Sequence, residues 1–558
     1  MLEHQDYREE KDYLDMAFRE IEKSLAEATS GAGALNLTME TLKKKRTTDN
    51  SQAFVEMMVS SMLSERAELR IKNLTKARRK PYFCRVDFTE SDGQKDRYYI
   101  GKTGLLRNED QELIIMDWRA PAANLYYDSR IGEASYSSPA GTVDGTLTLK
   151  RQIIVEDGDI REIRDIDVTA SDEFLQASLG ANSEGRLKEI VATIQGEQNE
   201  VIRADMWKPL IVQGAAGSGK TTIALHRMAW LIYNNEKTMK PENFMILAPN
   251  KFFLDYISEV LPELGVDQTV QTTYREFALG ILGRIKVTEQ GDRLRQLASG
   301  DIDMDAWNRN ARISGIKGSL SFKRILDRYL SEVEKELVPQ RDLCIGKNVV
   351  CSRAEALEIL NGTYGKLPLE KRLAEGRKHL QTRGDALKEK LKRAVERLTD
   401  ERIHKMKATD MAEVERQKLA LKIYENRDSL VKQLDEAWKA SLRSYTSWSG
   451  EGTPMGLYKV LFQDMDQFLN YAGEEIKAGA ILEKDARELF GETAELLGAG
   501  KVEFEDLAAL LYLQHRLTGF DGKTKVKHVV VDEAQDFNIL QLFTLKAAIR
   551  DSSYTILG

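Results

Sequence analysis

The sequence predicts a multidomain α/β protein, and three observations carry that prediction. Leu210–Ile232 reads as a strand end, a glycine-rich turn and a helix. Phe244–Ala248 and Val529–Val531 are short, wholly apolar runs of the kind that parallel sheets bury on both faces. From Pro81 to about residue 168 the pattern changes to short aromatic or β-branched runs divided by Asp-Gly turn signals, which is the signature of a separate β domain.

Composition sets the outer bounds. A chain of 558 residues has room for roughly three to four domains. Its 42% hydrophobic and 31% charged residues describe a globular protein rather than a disordered one. A net charge of −7 gives no global basic signature, so any nucleic-acid contact has to come from local patches. Cys84, Cys344 and Cys351 are odd in number and form no CxxC, which argues against a disulfide framework or a zinc site. Met1–Ser24 is charged from the start, and no run of about 18 apolar residues occurs, so the expectation is a cytoplasmic protein without membrane contact.

Taken in order, residues 1–80 read as an antiparallel helical hairpin, an arm of roughly 30–40 Å. One apolar stripe runs through Tyr7, Leu14, Phe18, Ile21 and Leu25, and a second through Val55, Met58, Met62 and Leu69. The segment from Ser30 to Asn50 between them shows no obvious core. Such a pair either packs on the body or protrudes into a partner. Residues 81–168 read as a small antiparallel barrel or sandwich, with turns at Asp92–Gly93, Asp144–Gly145 and Asp157–Gly158. Within it, Asp117-Trp118-Arg119-Ala120-Pro121 and Tyr126–Tyr127 form an aromatic, charged cluster. That cluster is either a core tryptophan with a satisfied arginine or a platform for stacking bases.

Residues 169–280 return to helix and lead into the central motif, Gly214-Ala215-Ala216-Gly217-Ser218-Gly219-Lys220-Thr221-Thr222. This is a P-loop: glycines let successive backbone N–H groups converge on a phosphate at a helix N-terminus. Lys220 is expected to reach the β- and γ-phosphates of ATP, and the Thr221 hydroxyl to sit on Mg²⁺. Gln198, upstream, is a candidate reader of the adenine edge through its amide donor and acceptor. After an insertion covering 281–525, residues 526–558 supply Val529-Val530-Val531-Asp532-Glu533-Ala534-Gln535-Asp536, a Walker B arrangement. Asp532 is expected to hold Mg²⁺, Glu533 to polarise the attacking water, and Gln535 to sense the γ-phosphate.

The insertion is helical and charged. From Lys366 to Lys407 there are 14 Lys/Arg against 7 Asp/Glu, a local basic excess in an acidic protein. It is either a solvated helix face or an arm lying where nucleic acid or an acidic partner surface would run.

These motifs, in this order, resemble those of superfamily 1A helicases of the UvrD/Rep type: Gln198, GAAGSGKTTIALHR, LAPN, TTYREF and VVVDEAQD. The N-terminal hairpin, with PYFCRVDF, YYIGKTGLL, DWRAP and the run from Leu125 to Gln152, resembles the HelD-like RNA polymerase-associated ATPases, whose arms ordinary UvrD-type motors lack. The resemblance implies a RecA-like domain split by the insertion. It also implies a monomeric factor that binds RNA polymerase core and uses ATP to release it from DNA or stalled complexes. The hairpin would enter the polymerase secondary channel and the insertion its main channel. Two other readings stay open: a DNA helicase or translocase of repair or remodelling, and a polymerase-binding displacer in which ATP only switches shape. UvrD-type motors complete their site with arginine fingers from a second RecA-like domain. The run Tyr554–Gly558 reads as a strand stopped in mid-course, so the expectation is an ATPase that hydrolyses slowly on its own.

Overall fold

The computed structural model describes residues 4–44, 51–139, 141–156, 158–166, 194–215, 217–266, 268–288, 304–408, 411–445, 452–520 and 525–558, with the side chains of 41–55 left aside. They form two compact units. One comprises Met1–Gln271, Val526–Ala534 and Ser553–Gly558; the other comprises Thr272–Lys525 and Gln535–Ser552.

The first unit begins with two helices, Tyr7–Lys44 and Ser51–Ala77, which pack along each other. Their 38 and 27 residues correspond to about 57 Å and 40 Å. The first helix thus runs through the glycine-containing stretch after Ser30 that showed no core in the sequence. Gly31 and Gly33 cost about 1 kcal/mol each relative to alanine, but Ala32 is buried and Asn36 Oδ1 accepts from Ser64 Oγ of the second helix at 3.3 Å. Packing overrides propensity here. The stripe through Leu14 and Ile21 is buried, together with Ala17, Leu74, Tyr82, Tyr99 and Ile115, in a core shared with the β domain. The second stripe is not: Met58 and Met62 are 58% and 50% exposed, and Leu69 is exposed as well.

The β domain is a seven-stranded sheet: β1 (Cys84–Glu90), β2 (Lys95–Gly101), β3 (Leu105–Leu106), β4 (Leu113–Asp117), β5 (Gly132–Ser138), β6 (Gly141–Glu156) and β7 (Asp159–Asp165). Its order is β3-β4-β2-β1-β6-β5, with β7 also on β6. Two expectations are corrected. The sheet is not wholly antiparallel, because β2 pairs parallel with β4, Ile100 facing Met116. Asp144–Gly145 is no turn but lies inside the 16-residue β6, with Gly145 opposite both Glu90 and Ala134. A Cβ at Gly145 would stand 2.5 Å from the Phe88 ring and 2.3 Å from the Thr89 carbonyl, so glycine is demanded there by close packing rather than by a bend. The Asp92–Gly93 turn is present, with Gly93 at φ +93°. Asp157 lies outside the described residues.

The second sheet of this unit has the order β10-β9-β13-β14-β8, built from β8 (Leu210–Val212), β9 (Phe244–Ala248), β10 (Val270–Thr273), β13 (His528–Val531) and β14 (Ser553–Leu557). The ladders β9–β13, β13–β14 and β14–β8 are parallel, and their registers align Leu247, Val531, Ile556 and Ile211 across the sheet. Both motif loops therefore open on the same carboxyl edge, where open α/β sheets bind ligands. The helix Lys220–Asn234 buries Leu225, Met228, Ala229 and Leu231 in a core that also contains Cys84, Phe88, Met116 and Trp118 of the β domain. Hairpin, β sheet and parallel sheet are one packed body.

The second unit is mainly helical, but the insertion also carries a two-stranded sheet, β11 (Leu343–Ile345) and β12 (Asn348–Cys351). The segment after the Walker B carboxylates, assigned from sequence to the motor domain, packs with this unit. Its helix Ile539–Ala548 buries Leu540 and Leu545 beside the helix Asp506–Leu517, and Thr544 Oγ1 lies 2.8 Å from the Tyr274 hydroxyl. A buried ion cluster fixes the bundle, with Lys317 Nζ 2.7 Å from Asp506 and 2.9 Å from Glu503, and the Tyr458 hydroxyl donating to Asp506 at 2.7 Å.

Two long helices, Leu369–Lys407 and Glu413–Tyr445, form an arm. Part of its basic excess is neutralised internally, because Asp435 pairs with Lys388 and Lys392 at 3.4 and 3.1 Å. At its base Trp438 lies against Gly384, where a Cβ would stand 2.2 Å from the indole, and Trp438 Nε1 donates to Asp385 at 2.9 Å. Gly384→Ala is expected to destabilise the arm by about 1–3 kcal/mol through overpacking. Hydrogen exchange of residues 369–445 reads this as faster exchange, and unchanged protection would contradict it.

Candidate nucleotide-binding site

The P-loop begins where β8 ends. Gly217 and Gly219 sit at φ +79° and +85°, and Gly219 caps the helix Lys220–Asn234 from the left-handed region that side chains disfavour. A Cβ at Gly214 would lie 2.9 Å from the Ser218 hydroxyl, so a larger residue here would have to displace that side chain. Ala216 lies outside the described residues. Lys220 Nζ folds back and donates to the carbonyls of Gly214 at 2.8 Å and Ala215 at 3.2 Å. Those acceptors hold the ammonium over the loop it would leave to meet phosphate.

Thr221 and Asp532, 311 residues apart, are brought together: Thr221 Oγ1 donates to the two carboxylate oxygens of Asp532 at 3.0 and 3.1 Å. Asp532 is buried at the end of β13, its N–H donating to the Leu247 carbonyl at 2.9 Å. Burial pushes its carboxyl above the usual carboxylate range, against the opposing pull of the Thr221 hydrogen bond. A buried carboxylate beside a hydroxyl, with a single ammonium nearby, is an oxygen donor set suited to a hard cation. Glu533 follows at φ +48°, a left-handed backbone in a non-glycine residue, and its N–H donates to Asp532 Oδ1 at 3.0 Å. Strain of this kind, on the order of 1–3 kcal/mol, gathers at functional turns.

Gln198 and Gln535, the two other expected residues, have the following surroundings. Gln198 Oε1 accepts from the N–H of Gln195 at 3.2 Å, capping the helix Gly196–Arg203. Its amide is therefore engaged with its own helix terminus. Gln535 lies in the single-turn helix Ala534–Asp536 and its side chain is exposed. Thr222 accepts through its carbonyl from His226 Nδ1–H at 2.7 Å, and its side chain hydrogen-bonds the Tyr256 hydroxyl.

Residues that the sequence reading passed over hold this site together. Arg227 is fully buried and has no carboxylate partner in its hydrogen bonds. Its Nη1 donates to the carbonyls of Val201, Ile202 and Ala204 at 2.9, 3.2 and 2.7 Å, and its Nε to Thr555 Oγ1 at 3.1 Å. It thus caps the Gln198 helix, ties it to β14, and is pushed down to about 10 by burial. His528 lies between Ser553 and Thr555 at 2.7 and 3.1 Å. The available signal was a His and an Arg inside the otherwise apolar face of the P-loop helix, in ALHRM.

The DWRAP segment packs behind the site. Trp118 is buried, which removes it as a base-stacking platform, and its ring meets His226 edge-on at 5.5 Å. Arg119 is paired to Asp117 at 2.7 Å and lies over Tyr233 at 4.6 Å.

Two matches to known families follow this geometry. Residues 7–178 match the family described as DNA helicase IV HelD, N-terminal domain, and residues 194–558 match the UvrD/REP helicase N-terminal domain. The chain belongs to the UvrD/REP helicase family. No curated protein matches it closely enough to compare. As a HelD-like member of the UvrD/REP family, it carries the P-loop and Walker B motifs on a P-loop helicase-type domain, preceded by the hairpin and β sheet. Among the described residues no cluster of His, Cys, Asp and Glu could hold a metal by itself, and no helix is long and apolar enough to cross a membrane.

Burial holds two histidines of this UvrD/REP domain, His226 and His528, neutral, pushing His226 down to about 4 and His528 to about 3. Unfolding returns each to about 6.5, so the unfolded chain binds more protons between those values and stability rises with pH there. Each histidine is expected to contribute about 2 kcal/mol between pH 5 and pH 7. Urea unfolding at the two pH values checks this, and equal midpoints would contradict it.

Proposed function

We propose that this chain is the ATP-driven part of a factor that engages RNA polymerase core through its hairpin and releases it from DNA or stalled complexes. ATP would place its phosphates in the loop Gly214–Thr222, with Lys220 leaving the Gly214 and Ala215 carbonyls to meet them. Thr221 and Asp532 would hold Mg²⁺, which supplies charge neutralisation at the phosphate oxygens when bound. Glu533 would orient the attacking water and accept its proton at the carboxylate.

The observation that carries the polymerase reading is the second hairpin helix. Its stripe of Met58, Met62 and Leu69 is laid open while the opposing stripe of the first helix is buried. An exposed Met-rich face on a long arm suits insertion into a protein partner. The double variant M58E/M62E leaves the buried core untouched. In a pull-down it is expected to lose core polymerase by more than tenfold while still binding ATP; full retention would sink the polymerase reading. A DNA translocase is the second reading, favoured by Phe252, whose ring is 81% exposed on the helix after β9 and free to stack a base.

A further inference from the structure

The DWRAP segment lies outside the P-loop domain, yet it touches both helices on which the nucleotide site depends. Its Trp118 ring meets His226, in the second turn of the P-loop helix. The His226 imidazole passes the contact on through Nδ1–H to the Thr222 carbonyl, one residue beyond Thr221. From the same short segment, the carbonyls of Trp118 and Ala120 accept from Arg203 at 3.0 and 3.4 Å, at the end of the helix that carries Gln198. Asn124, just downstream, accepts through Oδ1 from Asn199 Nδ2 at 2.6 Å in that helix. None of these side chains faces the phosphate loop. Trp118 and His226 are both at 2% exposure, so neither can contact nucleotide directly.

We propose that Trp118 and His226 are positioning residues for nucleotide: the β domain sets the first turn of the P-loop helix through the Trp118–His226–Thr222 contacts. This rests on the reading that the P-loop binds ATP. A carbonyl can only accept, so Nδ1 must carry the proton, and burial keeps the ring neutral, which fixes its tautomer. The edge-on indole limits the ring's rotation, and the locked ring bonds the turn that presents Thr221 to Asp532. A displacement of the β domain would therefore be read in nucleotide affinity. The other face of the β sheet is tied to the hairpin by Glu10, which accepts from Arg85 and Arg151 at 2.8 Å each.

The test is titration of the intact chain with a fluorescent ATP analogue and Mg²⁺, with thermal unfolding without nucleotide as the control for folding. W118L removes the aromatic edge and H226F removes the Nδ1–H donor. Each is expected to weaken binding 5- to 30-fold. W118F keeps a ring, and H226N keeps a donor near the Nδ1 position; both are expected to bind within about threefold of the wild type. Because the two residues act in series, the double variant W118L/H226F is expected to be no weaker than the poorer single variant. Wild-type affinity in folded W118L or H226F would overturn the proposal, as would a double variant whose loss is the product of the two singles. If W118L fails to fold, the H226F and H226N pair decides alone. Lys220→Ala separates the readings: if the wild type and K220A both fail to bind the analogue, the nucleotide assignment fails. If only K220A loses binding while W118L and H226F keep it, the positioning role alone fails.

Discussion

Glu533→Gln is expected to lower ATP turnover by about 10²–10⁴-fold while leaving nucleotide affinity within a few-fold of the wild type. In the proposed function the Glu533 carboxylate takes the proton from water, since Asp532 beside it is buried and hydrogen-bonded to Thr221. Glutamine keeps the shape and the backbone at φ +48° but cannot accept the proton. The loss corresponds to about 3–5 kcal/mol of barrier. Lys220→Ala has the contrasting signature, with affinity falling along with turnover, because it removes the cation from the phosphate loop. Phosphate release measured beside nucleotide binding separates the two. Turnover by E533Q at the wild-type rate would remove Glu533 from the role assigned to it.

Glu10→Ala carries the second large effect, on folding. Glu10 is wholly buried, accepting from Arg85 Nη1, Arg151 Nη1 and the Tyr99 hydroxyl at 2.8, 2.8 and 3.0 Å. Breaking a buried pair from one side costs about 3–5 kcal/mol because the remaining charge stays desolvated. Arg85 keeps Asp87, and Arg151 keeps Asp165 and Asp6, at 2.6–2.7 Å, so the lower part of that range is expected, about 3 kcal/mol. Denaturant unfolding of the intact chain should show the first transition moving to lower concentration. The hairpin base should lose amide protection before the parallel sheet does. A variant as stable as the wild type would mean the cluster contributes nothing to attachment of the arm.

The nucleotide loop was legible because its chemistry is local. Eight consecutive residues carry the P-loop, and the apolar run before Asp532 announces the strand that delivers it. Their meeting at 3.0 Å across 311 positions follows once both strands are placed in one parallel sheet. What the sequence hid depended on partners distant in the chain. Gly145 looked like a turn because its true constraint, the Phe88 ring on another strand, is not written beside it. The stripe of Met58, Met62 and Leu69 left packing on the body and protrusion into a partner both open, because periodicity reports an apolar face and not whether anything covers it. The run after Glu533 packs on Tyr274 and on the helix Asp506–Leu517 of the insertion, contacts that lie far away in the chain. Gln198 shows the reverse case: its place upstream of the P-loop suggested an adenine reader, but the hydrogen bond its Oε1 accepts from the N–H of Gln195 is set by a helix end, which a motif does not encode.

The parallel sheet has a consequence in time. Phe244 of β9 pairs opposite His528 of β13, and Val212 of β8 opposite Leu557 of β14. Strands made early on the ribosome must therefore wait for partners about 280 to 350 residues later, roughly 15–70 s at 5–20 residues per second. Through that interval β8 lacks its neighbour and β9 has only β10, so each presents a bare ladder edge, which invites pairing with other chains. If the intervening helical unit folds first, it brings its two ends together and shortens the loop that the sheet has to close. A chain with that unit weakened is then expected to aggregate more during synthesis, because the open edges of β8 and β9 stay bare for longer.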